Sequence, residues 1–193
     1  MQYIIGLGNP GSRYKGSRHN VGFEVVDAVA SRLRLVLREG KGDYLIAEGS
    51  FDGGDVVLIK PLTYMNGSGS AVLDVRERFD APLEQLLLVC DDFQLPLGML
   101  RLRTTGSDGG HNGLYSVIYH LQSESFPRLR CGIASASVPG DKSLMAEFVL
   151  EQFTKEEQPA ATAMINKAAD ACLFLLQHGL TKTMNAFNTK QTT

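Results

Sequence analysis

The sequence predicts an α/β protein: a single three-layer domain over residues 1–193, with a mixed, twisted β-sheet flanked by helices on both faces. Three observations carry this. Short apolar runs alternate with stretches of helical period along the chain. At 193 residues, 44% hydrophobic and 21% charged, the chain holds enough material for one domain with a sizeable core. Polar residues gather in the loops after the apolar runs, where an open α/β sheet carries its site.

Taken in order, Tyr3–Leu7 is a first strand, and 21–35 repeats Val25, Val29 and Leu33 at helical spacing. Tyr44–Ala47 and Val56–Ile59 read as strands joined through the Asp52-Gly-Gly-Asp55 turn, which makes a hairpin. Gly69–Phe79 is a second helix. Leu86–Cys90 is apolar throughout and so belongs at the centre of the sheet, and Met99–Arg103 follows Pro96 and Gly98 as another strand. Gly113–Leu121 is helical and Leu129–Ala134 is a strand. In the last third Ala161, Ile165, Ala168, Cys172 and Leu176 form one helical stripe that stops at Gly179. Thr154 with Glu157 has the form of a capping box, although Pro159 leaves the start of that helix open. The final residues, 189–193, are expected to fray.

Composition excludes several classes. No basic-then-apolar leader follows Met1 and no apolar stretch approaches a membrane span, so the expectation is a soluble cytoplasmic protein without a membrane partner. Cys90, Cys131 and Cys172 are odd in number, far apart and set in apolar runs, which reads as core rather than disulfide or zinc site. A net charge of −2 gives no global attraction to nucleic acid, so any such partner must meet a local patch.

Residues 6–11, GLGNPG, match the dinucleotide fingerprint G-x-G-x-x-G. That motif needs a helix opening after the glycines, with free N–H groups for a pyrophosphate. Pro10 supplies no N–H and biases Asn9 away from helix, and Gly11–Ser17 has no apolar period. The stretch therefore reads as a strand end in which Gly6 and Gly8 allow a tight turn and Pro10 fixes it.

Four polar clusters remain. Asn9 lies with Arg18-His19-Asn20, where Asn20 is a helix N-cap and His19 a loop histidine suited to general-base work. Lys60–Gly69 is a strand exit and helix entry, capped by Ser68 or Asn66. Asp91 and Asp92 end an apolar strand and point to opposite sides, so they are not an acid pair; one of them can orient a histidine, bind a metal or start a turn. Gly106–Gly113 is glycine-rich but lacks the Gly-Lys-Ser/Thr ending of a triphosphate loop, and its Asn112 offers an amide donor at a helix start. Beside it lie Arg101, Arg103, Arg128, Arg130 and Lys142, against only Asp108, Glu124 and Asp141 between residues 95 and 145. Strand alternation puts Arg101 with Arg103, and Arg128 with Arg130, each on one side.

Together G-L-G-N-P-G, Tyr14, R-H-N-V-G, P-L-T-Y-M-N-x-S-G, D-D-x-x-L-P-x-G, G-G-H-N-G-L, F-P-R-L-R-C-G-I and P-G-D-K resemble bacterial peptidyl-tRNA hydrolases, from residue 4 to about residue 187. The resemblance implies a monomeric, metal-independent hydrolase with no cofactor and no obligate protein partner. Its substrate would be peptidyl-tRNA, engaged at the acceptor stem and 3′ end, and its reaction cleavage of the ester joining the peptide to the 3′ ribose, recycling tRNA from stalled translation. Carried over by position, the catalytic set is His19, Asp91 and Asn9; Tyr14, Met65, Asn66, His111 and Asn112 contact the peptide and tRNA 3′ end. Arg103 and Arg130 hold the tRNA phosphate, with Arg101, Arg128 and Lys142 contributing less. The family's lysine is an arginine at 103, which keeps the charge and adds bidentate geometry. Gln94 departs from the family pattern outside the matched catalytic set. An RNA-binding module of the same fold without turnover is the rival reading, and the complete His19, Asn9, Asp91 set favours the enzyme.

Overall fold

The computed structural model describes residues 1–188; the side chain of Lys142 and the 189–193 segment lie outside the described residues. Seven strands form one mixed sheet. They are β1 (Gln2–Gly6), β2 (Arg38–Glu39), β3 (Tyr44–Phe51), β4 (Gly54–Pro61), β5 (Leu86–Pro96), β6 (Leu100–Arg103) and β7 (Arg128–Ala134), in the spatial order β2-β3-β4-β1-β5-β7-β6. The four central strands β4, β1, β5 and β7 run parallel, while β3 pairs antiparallel with β4 and β6 with β7.

The pleat divides the apolar residues between two cores. Ile4, Leu58, Leu87 and Val89 face α1 (Val21–Leu33) and α5 (Gln158–His178). Tyr3, Ile5, Ile59, Leu86, Leu88 and Cys90 face α2 (Ser68–Arg78) and α3 (Asn112–Leu121). Successive side chains on a strand point to opposite faces, so strands apolar at every position must be covered on both sides. The three cysteines are all buried, and burial pushes the Cys172 thiol up to about 12.

Several boundaries differ from the sequence expectation. The 44–61 hairpin is longer, because Asp52 and Gly53, with φ of 51° and 80°, make a two-residue turn that leaves Gly54 and Asp55 in the ladder. The first helix stops at Leu33, where Arg34 takes a left-handed conformation with φ 55°. Strand β5 continues to Pro96 because β7 pairs with it through Asp92 and again at Pro96. Strand β2, α4 (Met145–Leu150) and α6 (Leu180–Phe187) were not expected; β2 and α4 are too short to show a period.

Gly6 and Gly8 serve a different purpose from the expected turn. A Cβ on Gly6 would lie 2.2 Å from the Gly22 carbonyl oxygen, one on Gly8 2.7 Å from the Phe23 ring, and one on Gly22 2.4 Å from the Val89 oxygen. These glycines let α1 lie directly on the backbone of β1 and β5. That contact fixes where α1 begins, and therefore where the residues just before it sit.

Candidate active site

The site forms at the carboxyl ends of β1 and β5, where loops from both faces of the sheet converge. A short 3-10 turn, Arg18–Asn20, enters α1 and carries His19, and the His111-Asn112 step enters α3 on the other face. Between them lies Asp91 of β5. Its Oδ1 accepts from His19 Nδ1 at 2.8 Å and from His111 Nε2 at 3.0 Å, while Oδ2 is buried without a partner among the described residues. The two rings stand 4.8 Å apart between centroids.

Hydrogen bonding fixes both tautomers. His111 Nδ1 accepts the Leu114 N–H at 3.2 Å, so that nitrogen carries no proton and Nε2–H must donate to Asp91. Both nitrogens of His111 are thereby used inside the protein, where it caps α3 and steadies Asp91. His19 donates through Nδ1 and keeps Nε2 as its uncommitted lone pair. Burial of His19 pulls its pKa down, but the charge of Asp91 and the hydrogen bond to it outweigh burial and leave it raised. Burial pushes the Asp91 carboxyl up, and the facing histidines and their hydrogen bonds more than reverse this, holding it well below the usual range. As expected, Asp92 takes different partners, Arg130 at 2.9 Å and the Gln94 N–H at 2.8 Å.

Asn9 sits just beyond the sheet ladder. Its Oδ1 accepts the Met65 N–H at 2.8 Å, its own N–H donates to Asn20 Oδ1 at 2.8 Å, and its carbonyl accepts from Asn20 Nδ2 at 2.9 Å. Only its Nδ2 amide group remains uncommitted. Tyr64, with φ 54° and ψ 162°, turns the chain so that Met65 can make its bond, a strained conformation of the kind that costs about 1–3 kcal/mol. Asn20 occupies the N-cap position of α1 but makes no side-chain cap, and neither Asn66 nor Ser68 caps α2; Gly67 holds that position. Met65 is buried under α3 where a Cβ on Gly113 would meet its sulfur at 2.5 Å, whereas Asn66 and Asn112 are exposed. Tyr14 meets the exposed ring of Tyr64 edge-on at 6.3 Å.

The turn that carries His19 is fastened from behind by a contact the sequence did not reveal. Arg18, 1% exposed, donates to Glu157 Oε2 at 2.7 Å and to the Phe148 carbonyl at 3.2 Å, and lies over the Phe148 ring at 4.3 Å. The only signal for Glu157 was the capping box. That box does form, with Thr154 N–H donating to Glu157 Oε2 at 2.9 Å and Glu157 N–H to Thr154 Oγ1 at 3.3 Å.

Arginines line the β6–β7 edge. Arg101 pairs in register with Arg130, and Arg103 with Arg128, so all four share one face. Arg103 is exposed and Arg101 and Arg130 are half-buried. Arg128 corrects the expectation: it is 1% exposed, lies over Phe126, and donates to the carbonyls of Gly106, Ser107 and Glu124, so it braces the 106–107 loop instead of meeting solvent.

His19, Asp91 and His111 bring ligand atoms within 4.8 Å of one another. With Nε2 of His111 protonated, however, the cluster is a hydrogen-bonded relay and not a metal donor set. A cavity of about 510 Å³ is lined by Asn9 and Asn20 together with Phe23, Leu45, Lys60 and Leu62; neither histidine nor Asp91 lines it. No helix among the described residues is long and apolar enough to cross a membrane.

Comparison with known proteins matches the family model "Peptidyl-tRNA hydrolase" over residues 3–193. The chain is 43% identical over 190 residues to the peptidyl-tRNA hydrolase of Chlorobium phaeobacteroides, covering 98% of this chain and 99% of that one. It is 43% identical over 188 residues to that of Halalkalibacterium halodurans, covering 97% and 100%. The crystal structure of peptidyl-tRNA hydrolase from Acinetobacter baumannii superposes with a TM-score of 0.92 at 35% identity, over 98% of this chain and 95% of that one.

Proposed function

Since the chain belongs to the peptidyl-tRNA hydrolase family and hydrolyses peptidyl-tRNA, we propose that His19 is its general base, held by Asp91, and that Asn9 is its oxyanion donor. The observation that carries this reading is the one free nitrogen on His19, opposite a hydrogen bond to a buried carboxylate. Water attacks the ester carbonyl carbon and gives its proton to His19 Nε2. The tetrahedral oxyanion is stabilised by Asn9 Nδ2, an interaction worth on the order of 3 kcal/mol in the transition state. Collapse breaks the bond to the ribose oxygen, which takes the proton back from His19, and free tRNA and peptide leave. An ester has a good enough leaving group to need neither a covalent nucleophile nor a metal in this scheme.

In this reading the exposed Asn66 and Asn112 hydrogen-bond the peptide backbone, and Tyr14 also contacts the substrate. Arg103 and Arg130, helped by Arg101, hold a phosphate of the acceptor stem, reading backbone and not base identity. In this reading the enzyme acts as a monomer without an obligate protein partner. The enzyme acts in the cytoplasm, where its substrate arises, and returns tRNA from aborted translation. In a release assay with N-acetyl-aminoacyl-tRNA, His19→Ala lowers kcat by at least roughly 1000-fold while tRNA binding persists; near-normal turnover would remove His19 from the role of base.

A further inference from the structure

We propose that Asn20 is a positioning residue whose carboxamide aims the oxyanion donor, Asn9; the proposal rests on the role given to Asn9 above. Strand β1 ends at Gly6, three residues before Asn9: Leu7 N–H still donates to the Val89 carbonyl at 2.9 Å, but among the described residues no sheet hydrogen bond follows it at Gly8 or Asn9. Pro10 follows and has no N–H to give. Asn9 therefore stands beyond the end of β1 with its backbone unpaired by the sheet.

Asn20 takes over that pairing. Its Oδ1 accepts the Asn9 N–H at 2.8 Å and its Nδ2 donates to the Asn9 carbonyl at 2.9 Å, the two bonds a neighbouring strand would supply. Both residues are buried. With the Met65 N–H on Oδ1, three of the four polar groups of Asn9 are committed, and the side chain can turn only one way, with Nδ2 outward.

Helix capping argues the same point from the other side. Asn20 stands at the N-cap of α1, where an asparagine side chain ordinarily caps the helix, and no such bond is made. The carboxamide is instead given to the loop. Because Asn20 adjoins His19 in one 3-10 turn, the same short segment sets the base and, through Asn20, the oxyanion donor, and so fixes the spacing between them. Misplacement of such a donor by even an ångström costs rate without weakening substrate binding.

The test uses Asn20→Asp and Asn20→Ser in the full-length enzyme, each alone and combined with Asn9→Ala, in steady-state hydrolysis across pH with melting temperatures measured in parallel. Asn20→Asp keeps the acceptor but sets an oxygen against the Asn9 carbonyl; Asn20→Ser cannot bridge both groups. Both are expected to lower kcat roughly 10- to 100-fold with KM changed less than about 3-fold, and Asn20→Ser, which adds no charge beside His19, to leave the acidic limb of the pH profile unmoved. In the Asn9→Ala background neither should cost more than about 2-fold, because Asn20 acts through Asn9. Full retention of kcat, a loss confined to KM, a limb shifted in Asn20→Ser, or losses that multiply with Asn9→Ala would each overturn the proposal while leaving Asn9 in its role. If Asn9→Ala itself keeps wild-type kcat, the oxyanion reading falls and the proposal with it. Melting of both variants below the assay temperature would assign Asn20 to stability alone and also overturn it.

Discussion

Asp91 accepts a hydrogen bond from each of two histidines on the same oxygen, and the rings differ in what their other nitrogen does. His111 spends its second nitrogen on the Leu114 N–H; among the described residues His19 Nε2 has no partner. The pH dependence follows from what holds His19. Its pKa is raised above 6.5, so the active neutral form fills only as pH rises past that raised value. Asp91→Asn removes the charge that outweighs burial, so the pKa of His19 should fall and the acidic limb of kcat/KM should move to lower pH. The plateau should fall by roughly 100-fold or more, because an amide neither stabilises the imidazolium nor enforces the tautomer. A pH–rate profile checks this, and a limb that stays in place would disconnect Asp91 from His19. At this scale the motifs made His19, Asp91 and Asn9 legible, since loop position and residue type suffice to nominate them. The work of His111 and Asn20 was not, because a side chain that can cap, bridge or bind substrate is assigned only by which neighbour lies within 3 Å.

Glu157 shows how an element boundary serves the site. As the residue just before α5 it completes the capping box with Thr154, and its carboxylate also receives Arg18 and the hydroxyls of Ser135 and Ser137. The start of α5 is thereby bound to the turn that bears His19. Burial pushes the Glu157 carboxyl up, but those hydrogen bonds and Arg18 prevail and bring it down to about 2. A depressed carboxyl stabilises the fold in full above its ordinary value near 4.5 and loses that contribution as pH falls toward about 2. Glu157→Gln should therefore cost stability at neutral pH, on the order of 3 kcal/mol because the buried Arg18 keeps only the more distant and exposed Glu151 as a charge partner, and the difference from wild type should shrink between pH 4.5 and 2. Urea midpoints at several pH values measure it; a gap that does not vary with pH would mean the charge on Glu157 is immaterial. The periodic helices and apolar strands were readable here because burial on one or two faces imprints a period. Strand β2 and α4 span too few residues to carry one, and the glycines of β1 were misread because close approach of α1 and a tight turn demand the same residue.

Across the molecule, the strand order β4-β1-β5-β7-β6 sets the catalytic groups at the centre and the arginines toward one edge. Arg103 is exposed and Arg128 is buried against carbonyls, although they face each other in register. Arg103→Ala should thus lessen the slope of log Kd against log salt for tRNA by about one, whereas Arg128→Ala should leave the slope unchanged and lower the melting temperature instead. Equal slopes for wild type and Arg103→Ala would place the phosphate contact elsewhere. The sequence by itself determined the α/β class and the two-sided core, and nominated the acid–base groups proposed above, because residue chemistry and hydrophobic period are local properties. Tertiary structure decided which histidine keeps a free nitrogen, which arginine meets solvent and what holds Asn9 still. Arg128 and Asn9 are settled by hydrogen bonds to residues well separated in the chain, Gly106 and Ser107 for the first and Asn20 and Met65 for the second, and the histidines by their shared bond to the distant Asp91 together with the local Leu114 N–H on His111; bonds across such separations leave no periodic trace in the residues that make them.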